Sequence, residues 1–173
     1  MANAVAAMAA ARHVGVLPQV AAEALNAFRG VKRRLELLGT VHGVSVYDDF
    51  AHHPTAIAAT LQGLRARAGK GRLLALIEPR SNTMRQGQHR DRLAASCENA
   101  DRVYWFQPPN MEWSLEDVAA TSPVPASVIS DIDSLVEAVR HEVDAGDQVV
   151  IMSNGGFSGI HGKLLQALEM AGD

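Results

Sequence analysis

From residue 44 onward, short apolar runs that favour strands alternate with longer runs that favour helices. Strand-like segments cover residues 44–48, 73–77, 103–106, 128–129 and 148–152. Helical segments follow them over residues 55–68, 91–100, 115–120, 132–143 and 160–168. Such alternation predicts βαβ units with parallel strands and helices on both faces of the sheet. We therefore expect an α/β, Rossmann-like fold with a mostly parallel sheet of about six strands.

The first third of the chain has a different pattern. Two alanine-rich helical runs, about residues 3–14 and 18–28, precede the sheet. A short hairpin is then expected, in which residues 34–41 and 44–48 flank a turn at His42-Gly43. Because the first run reads as a helix joined in mid-element, we expect the chain to be a piece of a longer protein.

Composition excludes several classes of protein. The 173 residues suffice for one domain, or one domain plus a fragment, and the formal net charge of −3 does not favour nucleic acid. No apolar run approaches the roughly 20 residues that span a bilayer, so we expect no membrane segment. The single cysteine, Cys97, is expected to be a buried core residue, and its lack of a disulfide partner favours a cytoplasmic protein.

The most informative motif follows the first strand of the alternating region. Residues 48–55 read Asp-Asp-Phe-Ala-His-His-Pro-Thr, and Pro54 suits the first turn of the helix that follows. In an open α/β sheet, ligands bind in the crevice outside the carboxyl ends of the strands. Two carboxylates and two imidazoles therefore lie where such a fold places its chemistry.

Polar loops also follow three later strands. They cover residues 78–88, 107–110 and 153–159, whereas the turns at the opposite ends of the strands contain ordinary turn residues. Arg80 and Arg85 could bind carboxylates or phosphates bidentately. The glycine-rich loop at 153–159 could receive an anion at a helix start, although tight strand–helix packing explains it equally well. This asymmetry predicts one site at the carboxyl edge of the sheet.

A metal site is not expected in the first of these loops. Adjacent residues on an extended chain point to opposite sides, so Asp48, Asp49, His52 and His53 cannot easily reach one ion. A metal-dependent hydrolase is one alternative interpretation of these side chains, and a stand-alone nucleotide-binding module is another.

Three motifs in order resemble one family. Residues 48–55 are similar to the pattern D-D-[YF]-[AG]-H-x-P, and residues 28–36 resemble a segment that links two domains of the same proteins. Asn3, with Ala6 and Ala7 after it, resembles the start of an adenine-contacting helix. The chain thus resembles the C-terminal part of Mur ligases, the ATP-dependent amide-forming enzymes of bacterial peptidoglycan synthesis.

This resemblance implies a domain organisation and a reaction. Residues 1–33 would be the remnant of a central ATPase domain, and residues 34–173 the Mur ligase C-terminal domain. The loops at 78–84 and 153–161 are most similar to family members that join the murein tripeptide L-alanyl-γ-D-glutamyl-meso-diaminopimelate to UDP-N-acetylmuramate in peptidoglycan recycling. The alternative within the family is the ligase that adds L-alanine to UDP-N-acetylmuramate.

The resemblance also implies roles for individual residues. The expected ATP-binding residues are Asn3 at adenine, Arg34 at the phosphates, Asp49 at the ribose and His52 nearby. Those expected to bind the peptide substrate are Arg80, Ser81, Asn82, Arg85, Ser153 and Asn154. The P-loop and the Mg²⁺ ligands of the family belong to the central domain, so we expect no catalytic residue here and no ligation by this chain alone.

Overall fold

The computed structural model describes residues 2–28, 30–69, 71–109 and 111–171, and it divides into two compact units between Val31 and Lys32. The first unit contains two helices, α1 (Ala2–His13) and α2 (Pro18–Ala27). Helix α2 begins with Pro18 in its first turn, where the missing N–H would have no helical partner. Arg29, within the predicted linking motif, lies outside the described residues.

The second unit is built on a six-stranded sheet of order β1-β2-β6-β3-β4-β5. Its strands are β1 (Glu36–Val41), β2 (Val44–Asp49), β3 (Leu73–Ile77), β4 (Arg102–Phe106), β5 (Ala126–Ile129) and β6 (Gln148–Met152). Only β1 pairs antiparallel with its neighbour, and the other pairings are parallel. The predicted mostly parallel sheet is therefore confirmed.

Helices cover both faces of this sheet. They are α3 (Pro54–Arg65), α4 (Asn82–Arg85), α5 (Arg90–Leu93), α6 (Glu116–Ala120), α7 (Ile132–Glu142) and α8 (Ile160–Met170). Side chains of β3 alternate between two apolar clusters, with Ala75 in the cluster that contains α3 and Leu76 in the cluster that contains α7 and α8. Every residue of β3 is buried, as expected for a central parallel strand.

The hairpin turn at His42-Gly43 is confirmed, and both residues adopt positive φ angles, 47° and 83°. The preceding strand begins at Glu36 rather than at residue 34, because Arg33 and Leu35 also adopt positive φ angles, 58° and 51°. Such angles are incompatible with a strand.

Two predicted segments were wrong. The helix expected over 91–100 is broken into α5 and a 3₁₀ turn at Ala95–Cys97, where the Ser96 hydroxyl donates to the Leu93 carbonyl at 2.6 Å. The segment 78–88, expected to be a loop, contains the short helix α4. No helix in the described part of the chain is long and apolar enough to cross a membrane.

Candidate functional site

The loops after β2, β3 and β6 meet at the carboxyl edge of the sheet, as the sequence predicts. The Ser153 hydroxyl, after β6, donates to the carboxylate of Glu78, after β3, and both side chains are buried. Arg33 joins the same group, since its guanidinium reaches both Asp48 and the backbone of the loop that follows β6. Parallel strands bring these loops to one edge because their carboxyl ends point the same way.

Asp48 forms an internal ion-pair network. One carboxylate oxygen accepts a hydrogen bond from Nε of Arg33 at 3.1 Å. The other lies 3.1 Å from Nε2 of His161, at ion-pair distance but without the alignment of a hydrogen bond. With only 7% of its surface exposed, Asp48 holds the edge of the sheet together rather than facing a ligand.

Asp49, the predicted ribose acceptor, is also used by the chain itself. Its carboxylate accepts hydrogen bonds from the backbone N–H groups of Leu35 and Ala51, at 2.7 and 2.8 Å, and from the Thr60 hydroxyl at 3.1 Å. A carboxylate offers about four acceptor positions, so about one remains for a ligand. Contact with ribose through Asp49 stays a prediction, and it would use the one acceptor position that remains on the carboxylate.

The two histidines of the motif have different surroundings. Nδ1 of His52 lies 2.8 Å from the Phe50 carbonyl, so it carries the proton when the ring is neutral, and Nε2 is left for other partners. His53 caps α3 by accepting from the Thr55 N–H at 3.3 Å. Partial burial, and then the charges of His89, Arg92 and His52, lower the pKa of His53.

His89 is a neighbour of this motif that the sequence did not indicate. Its ring packs edge-on against that of His53, with centroids 4.4 Å apart. Nothing near His89 in the sequence marks this contact, because the two rings meet only through the fold.

Four predicted peptide-binding residues lie on or beside α4. Ser81 caps the helix, accepting from the Met84 N–H at 3.4 Å. Asn82 and Arg85 are exposed on α4, where with Gln86 and Glu112 they line a small cavity of about 180 Å³.

Arg80, just before α4, is exposed, and its guanidinium has no hydrogen bond or ion pair within the described residues. The backbone N–H of Arg80 donates to the Glu78 carbonyl at 2.9 Å, so the backbone of Arg80 is fixed although its guanidinium is not paired. An unpaired, exposed guanidinium is suited to a carboxylate or phosphate supplied from outside the chain.

Trp113 was missed by sequence reasoning. Its indole N–H lies 3.2 Å from the Met84 carbonyl and 2.9 Å from that of Arg85, so it caps the carboxyl end of α4. Gln107 in turn fixes Trp113 by donating to its carbonyl at 3.1 Å. The predicted loop at 107–110 therefore contacts α4 indirectly, through Gln107 and Trp113. Asn110 lies outside the described residues.

The remaining predicted residues are more scattered. Ser153 is fully buried, and Oδ1 of Asn154 is buried without a hydrogen-bond partner in the described structure. Arg34 is exposed, with its guanidinium 5.4 Å from the centre of the Phe50 ring. Asn3 is exposed on α1, which belongs to the other compact unit.

The described residues contain neither a metal-binding cluster nor a reactive thiol at this edge. Among the described residues, no group of three His, Cys, Asp or Glu side chains could hold a metal ion. Cys97 is buried, as predicted, and burial raises the pKa of its thiol to about 12, far from a nucleophile's range.

Comparison with known proteins points to one family. A family model described as "Mur ligase, glutamate ligase domain" matches residues 33–155. A UDP-N-acetylmuramate–L-alanyl-γ-D-glutamyl-meso-2,6-diaminoheptandioate ligase of Escherichia coli K12 is 51% identical over 97% of this chain and 37% of its own length. A UDP-N-acetylmuramate–L-alanine ligase of a Mycobacterium species (strain JLS) is 34% identical over 96% of this chain and 36% of its own length.

A solved structure agrees with the first of these relatives. The murein peptide ligase of Psychrobacter arcticus superimposes with a TM-score of 0.76 at 47% identity, covering 96% of this chain and 36% of that one. This chain therefore spans little more than a third of the length of the relatives it matches.

Proposed function

This chain belongs to the Mur ligase family, and we propose that it is the C-terminal domain of a ligase for a murein tripeptide. In that enzyme, L-alanyl-γ-D-glutamyl-meso-diaminopimelate would be joined to UDP-N-acetylmuramate during peptidoglycan recycling. The observation that carries the proposal is the exposed guanidinium of Arg80, which has no partner among the described residues and precedes α4, the helix that carries Arg85. A tripeptide presents several carboxylates to such a loop, whereas L-alanine presents one.

The proposed reaction gives this domain a binding role. ATP would phosphorylate the carboxylate of UDP-N-acetylmuramate, and the amino group of the tripeptide would attack the acyl phosphate and displace phosphate. Arg80, Ser81, Asn82 and Arg85 would hold the tripeptide carboxylates so that its amine faces the acyl phosphate. Ser153 and Asn154 would shape the same pocket, and the buried Oδ1 of Asn154 is an acceptor still available there.

The same edge would complete the nucleotide site. We assign Arg34 to the ATP phosphates and the remaining acceptor position of Asp49 to the ribose, with His52 nearby. Asn3, which belongs to the other compact unit, is assigned separately to the adenine. Mg²⁺ would accompany ATP, but no described group of side chains fits that ion, so its ligands are expected elsewhere in the longer protein.

We assign residues 1–33 to the end of a central ATPase domain. Large apolar side chains are exposed throughout this segment, which is unusual for the solvent-exposed surface of a folded domain. They belong to Val5, Val14, Leu17, Val20, Phe28 and Val31. Such residues suit burial against the rest of that domain, and a cytoplasmic location fits the single free thiol of Cys97.

The test uses the full-length enzyme that contains this domain. With UDP-N-acetylmuramate and ATP present, phosphate release is compared for the tripeptide and for L-alanine as acceptor. We expect turnover with the tripeptide and none with L-alanine. Turnover with L-alanine alone would assign the protein to the L-alanine-adding branch and would remove the role proposed for Arg80.

A matched experiment uses the 173-residue chain by itself. We expect no tripeptide-dependent release of ADP, because the groups that transfer the phosphoryl group would be missing. Turnover by this chain would contradict the proposed division of labour between the domains.

A further inference from the structure

An arginine that binds a carboxylate bidentately must present its planar guanidinium in one direction. Arg80 is exposed, and no hydrogen bond or ion pair in the described structure sets the direction of its guanidinium. A free arginine side chain has several rotatable bonds and loses about 2 kcal/mol of rotamer entropy when it is fixed. Some other contact must therefore limit where this side chain can lie.

That contact is the backbone of Gly155, in the loop after β6. A Cβ atom placed on Gly155 would lie 2.1 Å from Nη1, 2.5 Å from Cζ and 2.6 Å from Cδ of Arg80. These distances are far below van der Waals contact, so the Arg80 side chain occupies the space that any side chain at residue 155 would fill. The two residues come from different strand ends and meet only because β3 and β6 are neighbours.

The loop beneath Arg80 is held firmly. One guanidinium nitrogen of Arg33, Nη2, donates to the carbonyls of both Ser153 and Gly155 at 2.7 Å. The Gly155 N–H donates to the Ser153 hydroxyl at 2.9 Å. Arg33 is itself anchored by Asp48. A collision at residue 155 would therefore be relieved by movement of Arg80, whose side chain is flexible, and not by movement of the loop.

We propose that Gly155 is a positioning residue, which directs the guanidinium of Arg80 towards a carboxylate of the acceptor substrate. This inference rests on the proposed function, because it takes Arg80 to bind the tripeptide. Gly155 itself would touch no substrate. Its contribution is the absence of a side chain, which leaves the space that the Arg80 side chain occupies.

The test is Gly155→Ala in the full-length enzyme, with Gly156→Ala as the matched control. Gly155 does not adopt a positive φ angle and Gly156 has a φ of −80°, so alanine is compatible with the backbone at both positions. A Cβ on Gly156 would meet no atom within 4 Å. We expect KM for the tripeptide to rise about tenfold in Gly155→Ala, with kcat and KM for ATP unchanged, as for lost ground-state binding. Gly156→Ala should match the wild type.

A double-mutant cycle separates this inference from the proposed function. If Gly155 acts through Arg80, Gly155→Ala should add nothing to the KM of an Arg80→Ala enzyme. An Arg80→Ala enzyme with an unchanged tripeptide KM would overturn the binding role proposed for Arg80, on which this inference rests, whereas the comparison of tripeptide and L-alanine as acceptors tests the proposed function itself. A normal KM in Gly155→Ala, beside a raised KM in Arg80→Ala, would overturn only the role of Gly155.

A crystal structure of the Gly155→Ala chain provides a readout besides activity. We expect the Arg80 side chain to be displaced while the Arg33 hydrogen bonds to the loop remain. A loop that shifts while Arg80 stays in place would contradict the inference.

Discussion

Arginines stand at both edges of the sheet, but the two edges use them differently. At the amino edge, Arg72 pairs with Asp147 at 2.5 Å, and Arg102 pairs with Glu142 at 3.3 Å. Arg65, close by, pairs with Asp101. At the carboxyl edge, the exposed Arg80 has no partner within the described residues.

The carboxylates explain this difference. Turn carboxylates at the amino edge are available to arginines, so the charges neutralise each other inside the fold. At the carboxyl edge, Asp49 is occupied by backbone N–H groups and the Thr60 hydroxyl, and Asp48 is occupied by Arg33. Arg33 is therefore structural at the carboxyl edge, as the arginines of the amino edge are, whereas Arg80 is left available to a ligand.

Removing the unpaired arginine should produce the largest effect. In Arg80→Ala, KM for the tripeptide should rise about 100-fold, because hydrogen bonds to a charged group contribute about 1.5–3 kcal/mol. The free energy of unfolding should change by less than about 0.5 kcal/mol, as for an exposed residue. Steady-state kinetics check the predicted KM, and urea unfolding checks the predicted free energy of unfolding. A loss of stability with normal kinetics would reverse the comparison of the two edges.

Breaking a pair at the amino edge should lower the free energy of unfolding and leave the kinetics unchanged. Asp147 is 4% exposed and accepts from Arg72 and from the Asp144 N–H at 2.9 Å, so Asp147→Ala should cost about 2 kcal/mol of unfolding free energy. The cost is no larger because the Arg72 side chain is 40% exposed, so solvent screens the pair. KM for the tripeptide should not change.

Asp144→Ala is the control for that variant. The Asp144 carboxylate also contacts Arg72, at 3.2 Å, but its side chain is 85% exposed, so its loss should cost less than about 0.5 kcal/mol. Equal costs for the two variants would show that burial does not distinguish the pairs.

The pH dependence of stability should report the same pair. Burial acts to raise the pKa of Asp147, but hydrogen bonds from the Arg72 side chain and from two backbone N–H groups outweigh it and hold the pKa below 3.8. The stabilisation is therefore fully present above the unfolded value of 3.8 and is lost as the pH falls through the lower folded pKa. The difference in unfolding free energy between the wild type and Asp147→Asn should shrink only in that acidic range. A difference that shrinks near neutral pH would point to another group.

The smallest expected effect concerns the histidine pair of the carboxyl edge. In an NMR titration, the pKa of His53 should lie below 6.5, mainly because of burial and secondly because of His89. His89→Ala should bring it part of the way back. His141→Ala is the control, since its ring lies beside Glu137 on α7. If His89→Ala left the pKa of His53 unchanged, that result would contradict an electrostatic interaction between the two rings.

Much of this fold follows from local sequence. The buried run of β3 and the apolar stripe of α7 each fix an element, and parallel pairing then brings the loops to one edge. Helix α4 was not predicted, because four residues are too few to show a periodic pattern. At the break after α5, the Ser96 hydroxyl donates to the Leu93 carbonyl, a contact that no periodic pattern predicts.

The site was harder to predict than the fold. The sequence placed Asp48 and Asp49 at the right edge, but it could not show that the chain's own donors occupy them. The contacts of Trp113 with α4 and of Gly155 with Arg80 join residues far apart in sequence. Contacts of that kind exist only after the sheet has formed, and no local pattern encodes them.

We infer that Arg80, which has no partner within the described residues, binds a carboxylate of the acceptor. A crystal structure of the full-length enzyme with UDP-N-acetylmuramate, a non-hydrolysable ATP analogue and the tripeptide tests it most directly. We predict a tripeptide carboxylate within hydrogen-bonding distance of the Arg80 guanidinium, with the Arg80 side chain still packed against Gly155. A bound tripeptide whose carboxylates are all held elsewhere, with Arg80 facing solvent, would contradict it.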